Sequence, residues 1–238
     1  MPQYAKLFEA AFCFVFPGGA GGNMLSTHVV DCMLLPGLKR QTSGDHVNEY
    51  FCHTYTPLVQ SVHINLFFTP KNYTNDQYGT EVYTIGRYRE IISKYKNTSF
   101  IFIHPGDLIS YVIGLKEIKA ATNDGKSWRY PEIAHYMMSP ASSQRLKYAK
   151  HYQTLSNRLK KAGARVLDLD YRKLFVLQDR QEIQSLIEYM LGGDVDQEWQ
   201  VQNTASKLDK YHKRNIQLVT TTTGISTEAM DDFFKRRT

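Results

Sequence analysis

The hydrophobic and polar positions fall into an alternation of short apolar runs and longer amphipathic stretches. Residues 11–16 (A-F-C-F-V-F) are apolar without a break, the pattern of a strand buried on both faces of a parallel sheet. Further strands are expected at residues 62–68, at 100–104 (F-I-F-I-H) and at 165–169 (R-V-L-D-L), each followed by polar or turn-forming residues. Helical periodicity occupies residues 88–95, 107–119, 142–161, 180–191 and 205–219. Strands alternating with helices imply right-handed crossovers and a mainly parallel sheet of roughly four or five strands flanked by helices.

Local signals sharpen these bounds. Lys160 and Lys161 complement a helix C-terminus and Gly163 suits the left-handed cap after it; Gly192 and Gly193 end the next helix in the same way. Residues 71–84 and 122–139 read as long connections, the segments that tend to carry substrate contacts in such folds.

Between the first strand and the helix expected to run to residue 35 lies Pro17-Gly18-Gly19-Ala20-Gly21-Gly22-Asn23-Met24, with four glycines in five positions. A strand that feeds such a turn into a helix aims backbone N–H groups and the positive helix end at one spot, where phosphate can sit. The turn is neither of two familiar phosphate loops. A Walker loop counted back from Gly22 would put Pro17 at its first glycine, Asn23 at its lysine and Met24 at its hydroxyl residue. The dinucleotide fingerprint fails at Met24, where a third glycine is required. A tight turn alone explains the glycines less well than anion binding, because each one destabilises by roughly 0.5–1 kcal/mol relative to alanine. Replacing Gly21 by Val is expected to abolish phosphate binding and leave the fold intact.

Composition narrows the setting. The chain has 238 residues, 42% hydrophobic and 22% charged, enough for a sizeable core. No apolar run is long enough to span a bilayer and no secretory signal opens the sequence, so a cytoplasmic protein without a membrane partner is expected. The three cysteines, Cys13, Cys32 and Cys52, have neither the number nor the spacing of a disulfide framework or zinc knuckle. A net charge of +6 favours an anionic ligand. The scattering of the basic residues argues against nucleic acid until the segment from Lys207 to Arg214 and the closing Lys235-Arg236-Arg237, and a solvated helix face explains these better.

Three segments, in order along most of the chain up to Gly192, resemble the sulfotransferase superfamily. The P-x-x-x-G-G turn after an apolar strand is similar to that family's 5′-phosphosulfate loop. The stretch N-T-S-F-I-F-I-H-P-G-D-L-I-S-Y over residues 97–111 resembles the strand and R-D-P-R-D-x-x-x-S-Y segment that holds the 3′-phosphate. Residues 165–192, V-L-D-L-D-Y-R-K-L-F and a helix ending E-Y-M-L-G, are similar to the Y-E-D-L segment and its E-F-L-G helix. The resemblance implies a single three-layer α/β domain of P-loop type over residues 1–238, with residues 205–238 a helical, basic extension. It also implies transfer of a sulfuryl group from 3′-phosphoadenosine 5′-phosphosulfate to a small-molecule or glycan acceptor, without a metal.

On that resemblance Gly18, Gly19, Ala20, Gly21, Gly22, Asn23 and Met24 hold the 5′-phosphosulfate and Ser110 the 3′-phosphate. The base is His53, in a C-H-T-Y-T-P context similar to the family's T-H-x-P, or else His63 on the next strand. His104, beside Pro105, either meets the ligand or finishes its strand. The sequence also departs from the family. Ala20 or Gly21 stands where the loop lysine belongs, Asn23 and Met24 replace a threonine pair, Ile103 replaces the arginine, and Ser110 is one residue closer to the aspartate. The lysine neutralises charge developing on the leaving oxygen, so a cation from Lys39, Arg40, Arg87 or Arg89 would have to replace it. These departures keep two alternatives open: a catalytically degenerate nucleotide- or anion-binding or interaction protein, and a kinase-like phosphotransferase of P-loop type that needs Mg²⁺. Asp168 and Asp170, two apart on a strand, are a candidate Mg²⁺ pair, with helix capping or pairing to Arg172 or Lys173 the stronger reading.

Overall fold

The structure is a computed structural model and describes residues 12–29, 43–47, 50–56, 59–64, 99–191 and 197–236, with the backbone course alone over 43–64. In chain order the elements are β1 (Phe12–Pro17), α1 (Gly22–Val29), β2 (Ser43–Val47), β3 (Tyr50–Thr56), β4 (Val59–Ile64), β5 (Ser99–His104), α2 (Ile109–Asn123), α3 (Tyr130–Met138), α4 (Ser143–Lys161), β6 (Arg165–Asp170), α5 (Arg180–Leu191), α6 (Gln197–Thr223) and α7 (Thr227–Lys235). The protein is mixed α/β. Its contacts divide the chain into two compact units, one from Met1–Pro17, Gly22–His104 and Lys150–Asp168, the other from Gly18–Gly21, Pro105–Ala149 and Leu169–Thr238.

The first unit holds the sheet, whose order is β2-β3-β4-β1-β5-β6. β1 pairs in parallel with β4 (Phe12 opposite Val59, Pro17 opposite Ile64) and with β5 (Phe12 opposite Ser99, Val15 opposite Phe102). The unbroken apolar letters of β1 and β5 follow from this placement: Cys13, Phe14, Val15 and Phe16 are at most 3% exposed, and Phe100 through Ile103 at most 1%. The expected mainly parallel sheet needs correcting, because β3 pairs antiparallel to β4 and β2 antiparallel to β3. Of the strand expected over 62–68, residues 62–64 lie in β4, which begins earlier at Val59, and residues 65–68 lie outside the described residues. α1 packs on β1, β3 and β4, with Leu25 fully buried. α4 stops where expected: Gly163 takes φ +91°, its N–H donates to the Lys160 carbonyl at 3.0 Å, and the Ala164 N–H donates to Leu159 at 3.0 Å.

The second unit is helical. α2 buries every residue from Ile109 to Leu115, and Gly114 lets α3 approach it, since a methyl there would lie 1.9 Å from Met137 Cγ. The connection expected over 122–139 contains α3, because Pro131 opens that helix instead of breaking one. α6 is longer than the periodicity over 205–219 predicts and ends at Gly224 with φ +74°. Ser226 then caps α7 by accepting from the Ala229 N–H at 3.2 Å. Within 205–238, Leu208, Val219, Met230, Phe233 and Phe234 are buried, the last edge-on to Tyr111 with ring centroids 5.0 Å apart. Among the described residues no helix is long and apolar enough to cross a membrane. The helix expected over 88–95, the glycine cap at 192–193 and the connection over 71–84 lie outside the described residues.

Candidate functional site

The order of the strands marks a location before any side chain is considered. After β1 the chain builds β2, β3 and β4 on one side of it, and after β5 it builds β6 on the other. In open α/β sheets, ligands sit beyond the carboxyl ends of neighbouring parallel strands from which the chain leaves in opposite directions, and β1 and β5 are parallel neighbours of that kind. β1 ends at Pro17 and α1 begins at Gly22, so the first N–H groups of α1, which have no partner within the helix, follow directly on the carboxyl end of β1.

At the carboxyl end of β5, His104 stacks on Phe102 two residues earlier, with ring centroids 5.9 Å apart and planes 11° from parallel. Its Nε2 lies 2.6 Å from Asp168 Oδ1 on β6. Ser156 Oγ donates to the same oxygen at 2.5 Å, and Lys160 Nζ donates to Oδ2 at 2.5 Å. Ser156 and Lys160 lie four residues apart on α4, one turn of one face, which is why both reach a single carboxylate. Burial pushes the Asp168 carboxyl up, but the hydrogen bonds from His104, Lys160 and Ser156 outweigh it and hold the group well below the usual carboxylate range. The His104 side chain is 13% exposed, and its Nδ1 is buried and, among the described residues, without a hydrogen-bond partner. The Mg²⁺ reading of Asp168 and Asp170 gains nothing: Asp168 is fully engaged, and Asp170 Oδ1 accepts from the Lys173 N–H at 3.0 Å as a cap. Among the described residues no group of three or more His, Cys, Asp or Glu could hold a metal ion.

The glycine turn is built by close packing within the second unit. Gly19 and Gly21 have φ of +97° and +73°, in the left-handed region that favours glycine. A methyl at Gly19 would lie 1.9 Å from the Val112 carbonyl oxygen and 3.4 Å from the Lys116 nitrogen. One at Gly21 would lie 2.8 Å from ring carbons of both Phe175 and Tyr211. A methyl at Gly22 would lie 2.0 Å from Phe16 Cδ1 in the first unit, so packing accounts for three of the four glycines without a ligand. Ala20 and Gly21 are buried, and Gly18 and Gly19 half-buried.

Two lysines of α2 belong to the same surroundings. Lys116 approaches Gly19 through its backbone, and burial pushes its ammonium down from the ordinary range while Glu117 acts the other way. Lys119 Nζ lies 5.4 Å from the centroid of the Tyr211 ring, the ring that faces Gly21. Sequence reading missed both, because each comes from a helix nearly a hundred residues beyond the turn. The cations it named, Lys39, Arg40, Arg87 and Arg89, lie outside the described residues.

Ser110 is fully buried in the first turn of α2, and its Oγ accepts from Arg145 Nη1 at 3.0 Å. The guanidinium also donates to the Tyr136 carbonyl at 3.4 Å and stacks 3.5 Å from that tyrosine's ring centroid. A hydroxyl and a cation thus converge within one unit, and only the hydroxyl was legible in the sequence. Of the histidines expected as bases, His63 is opposite Phe16 of β1 in register and His53 opposite Ser61. Because Ser61 in turn pairs with Phe14, His53 sits about 7 Å further from the carboxyl edge than His63. Asn23 lies in the first turn of α1 and Met24 beside it is half-buried. Set against known proteins, the chain matches no family model, no curated protein and no solved structure.

Proposed function

We propose that the protein binds 3′-phosphoadenosine 5′-phosphosulfate on a P-loop-type scaffold and transfers its sulfuryl group to a hydroxyl or amine of a small-molecule or glycan acceptor. The observation that carries this reading is the position of the β1–turn–α1 unit: a central parallel strand delivers a helix N-terminus to the edge where doubly wound sheets bind phosphate. On this reading the residues from Gly18 to Met24 hold the 5′-phosphosulfate, Ser110 and its partner Arg145 hold the 3′-phosphate, and His53 or His63 takes the acceptor proton. Arg145 supplies the guanidinium that Ile103 lacks, and Lys119, whose Nζ lies over the Tyr211 ring that faces Gly21, supplies a cation in the surroundings of a turn that has lost its lysine.

A second reading, binding without turnover, is favoured by one feature: Phe175 and Tyr211 cover Gly21, and neither lysine of α2 belongs to the turn itself. Calorimetric titration with 3′-phosphoadenosine 5′-phosphate, with ATP plus Mg²⁺ in parallel, tests both. Metal-independent binding of the bisphosphate, weakened at least about tenfold in Arg145→Met, supports the nucleotide site. Binding of ATP only with Mg²⁺ supports a phosphotransferase, and binding of neither ligand sinks the nucleotide reading.

A further inference from the structure

The His104 cluster has a chemistry that neither the turn nor the sulfotransferase resemblance uses. Asp168 receives Ser156 Oγ at 2.5 Å, Lys160 Nζ at 2.5 Å and His104 Nε2 at 2.6 Å. An ionised carboxylate only accepts, so all three partners donate. His104 therefore carries a proton on Nε2, and in the neutral imidazole the lone pair is the one on Nδ1. The Phe102 ring beneath and Asp168 at its tip hold the imidazole in one orientation. Among the described residues the charged groups that face it are Asp168 and, through that carboxylate, Lys160. Nδ1 is then the ring nitrogen turned away from Asp168, buried and, among the described residues, without a hydrogen-bond partner. Buried acceptors are nearly always satisfied, so an unsatisfied one at the carboxyl end of β5, the strand beside β1, is placed to take a ligand's donor.

We propose that His104 Nδ1 accepts the proton of a hydroxyl or amine that binds at the carboxyl ends of β1 and β5, with Asp168, Ser156 and Lys160 as positioning residues. This rests on the sulfuryl-transfer reading, within which His104, in place of His53 or His63, is the base. The step balances without redox chemistry. The acceptor O–H or N–H bond breaks, its proton goes to Nδ1, and the acceptor atom forms a bond to sulfur. The bond from sulfur to the 5′-phosphate oxygen breaks and releases 3′-phosphoadenosine 5′-phosphate. The imidazolium that forms is stabilised by the Asp168 carboxylate.

Two measurements on the 238-residue chain test this. Nitrogen NMR of the histidine-labelled protein at neutral pH is expected to show His104 protonated at Nε2 and bare at Nδ1; a proton on Nδ1 overturns the assignment whatever the turnover. In His104→Gln the amide N–H sits where Nε2 was, so the bond to Asp168 survives and the Nδ1 acceptor is gone. This variant is expected to bind 3′-phosphoadenosine 5′-phosphate within about threefold of wild type and to lose about 10²–10⁴-fold in sulfuryl transfer from the donor to 2-naphthol. Transfer within about threefold of wild type overturns the proposal, as does a wild-type chain that binds the bisphosphate yet transfers to neither 2-naphthol nor water. Failure of the bisphosphate to bind at all sinks the sulfuryl-transfer reading instead and leaves the tautomer to decide on His104.

Discussion

Gly19 lies against the carbonyl oxygen of Val112 so closely that a methyl group there would come within 1.9 Å of it. The neighbour is helix backbone, which cannot swing aside, and φ at Gly19 is already +97°. Gly19→Ala is therefore expected to destabilise the protein by about 2–4 kcal/mol. Gly106, with φ +54° and open space around it, is the control, and Gly106→Ala should lose only about 1 kcal/mol. Urea unfolding of both variants measures the difference; equal losses would mean that the close approach to Val112 is not what selects glycine.

Gly21 corrects an expectation. Its φ of +73° and the rings of Phe175 and Tyr211, 2.8 Å from where a Cβ would stand, mean that Gly21→Val disturbs packing as well as any phosphate contact. A loss of about 2–4 kcal/mol in urea unfolding is expected before ligand is added. A Gly21→Val chain as stable as wild type would show that the two aromatic side chains yield freely.

Asp168 makes stability depend on acid. Its carboxyl is held below the value it has in the unfolded chain, so its contribution is complete above that value, near 4, and fades as pH falls further toward the folded value. Asp168→Asn should lower stability by about 2–4 kcal/mol at neutral pH, with the gap to wild type narrowing below about pH 4. Denaturation midpoints followed from neutral to acid pH test this, and a constant gap would refute it.

His212 acts in a different window. Burial pushes its imidazole down, with Asp209 and Asp231 opposing and Lys213 adding to the shift, and its ring lies edge-on to Phe234 with centroids 5.2 Å apart. The unfolded chain then binds the proton first, so stability declines as pH falls through about 6.5 toward the lower folded value. His212→Leu should flatten the profile between about pH 7 and 5 and leave the acid limb due to Asp168 unchanged. Thermal unfolding across that range separates the two groups.

Ser110 and Arg145 offer a milder test. Ser110→Ala deprives the guanidinium of its buried acceptor while Tyr136 still receives it, so a loss of about 1 kcal/mol is expected. Binding of the bisphosphate should weaken more in Arg145→Met than in Ser110→Ala, because the cation carries the stronger hydrogen bond. The reverse order would remove the pair from the phosphate site.

The sequence made visible what depends on neighbours along the chain. The apolar letters of β1 and β5, the glycine turn, the Gly163 stop and the bounds of α5 are all local signals, and each has its counterpart in the structure. The hairpin β2–β3 was missed because S-G-D-H-V has too few apolar positions to signal a strand, and α3 because Pro131 resembles a breaker when it is in the first turn of a helix. His104 and Asp168 were each singled out, yet they are 64 residues apart and meet because β6 is the strand beside β5. That adjacency comes from tertiary topology, which hydrophobic period does not encode. Arg145 and Lys116 escaped notice for the same reason.

The two units are interleaved along the chain: the first is left at Pro17 and again at His104 and is completed only at Asp168. During synthesis β1, α1, β4 and β5 emerge well before their last strand, and β5 remains an open sheet edge until β6 has been made. An unpaired apolar edge is a template for another nascent chain. The carboxylate that orients His104 arrives with β6, so a chain stalled before that strand exposes a sticky edge and carries no oriented histidine. The order in which the ribosome delivers the segments thus ties the safety of the sheet and the readiness of the site to one late event.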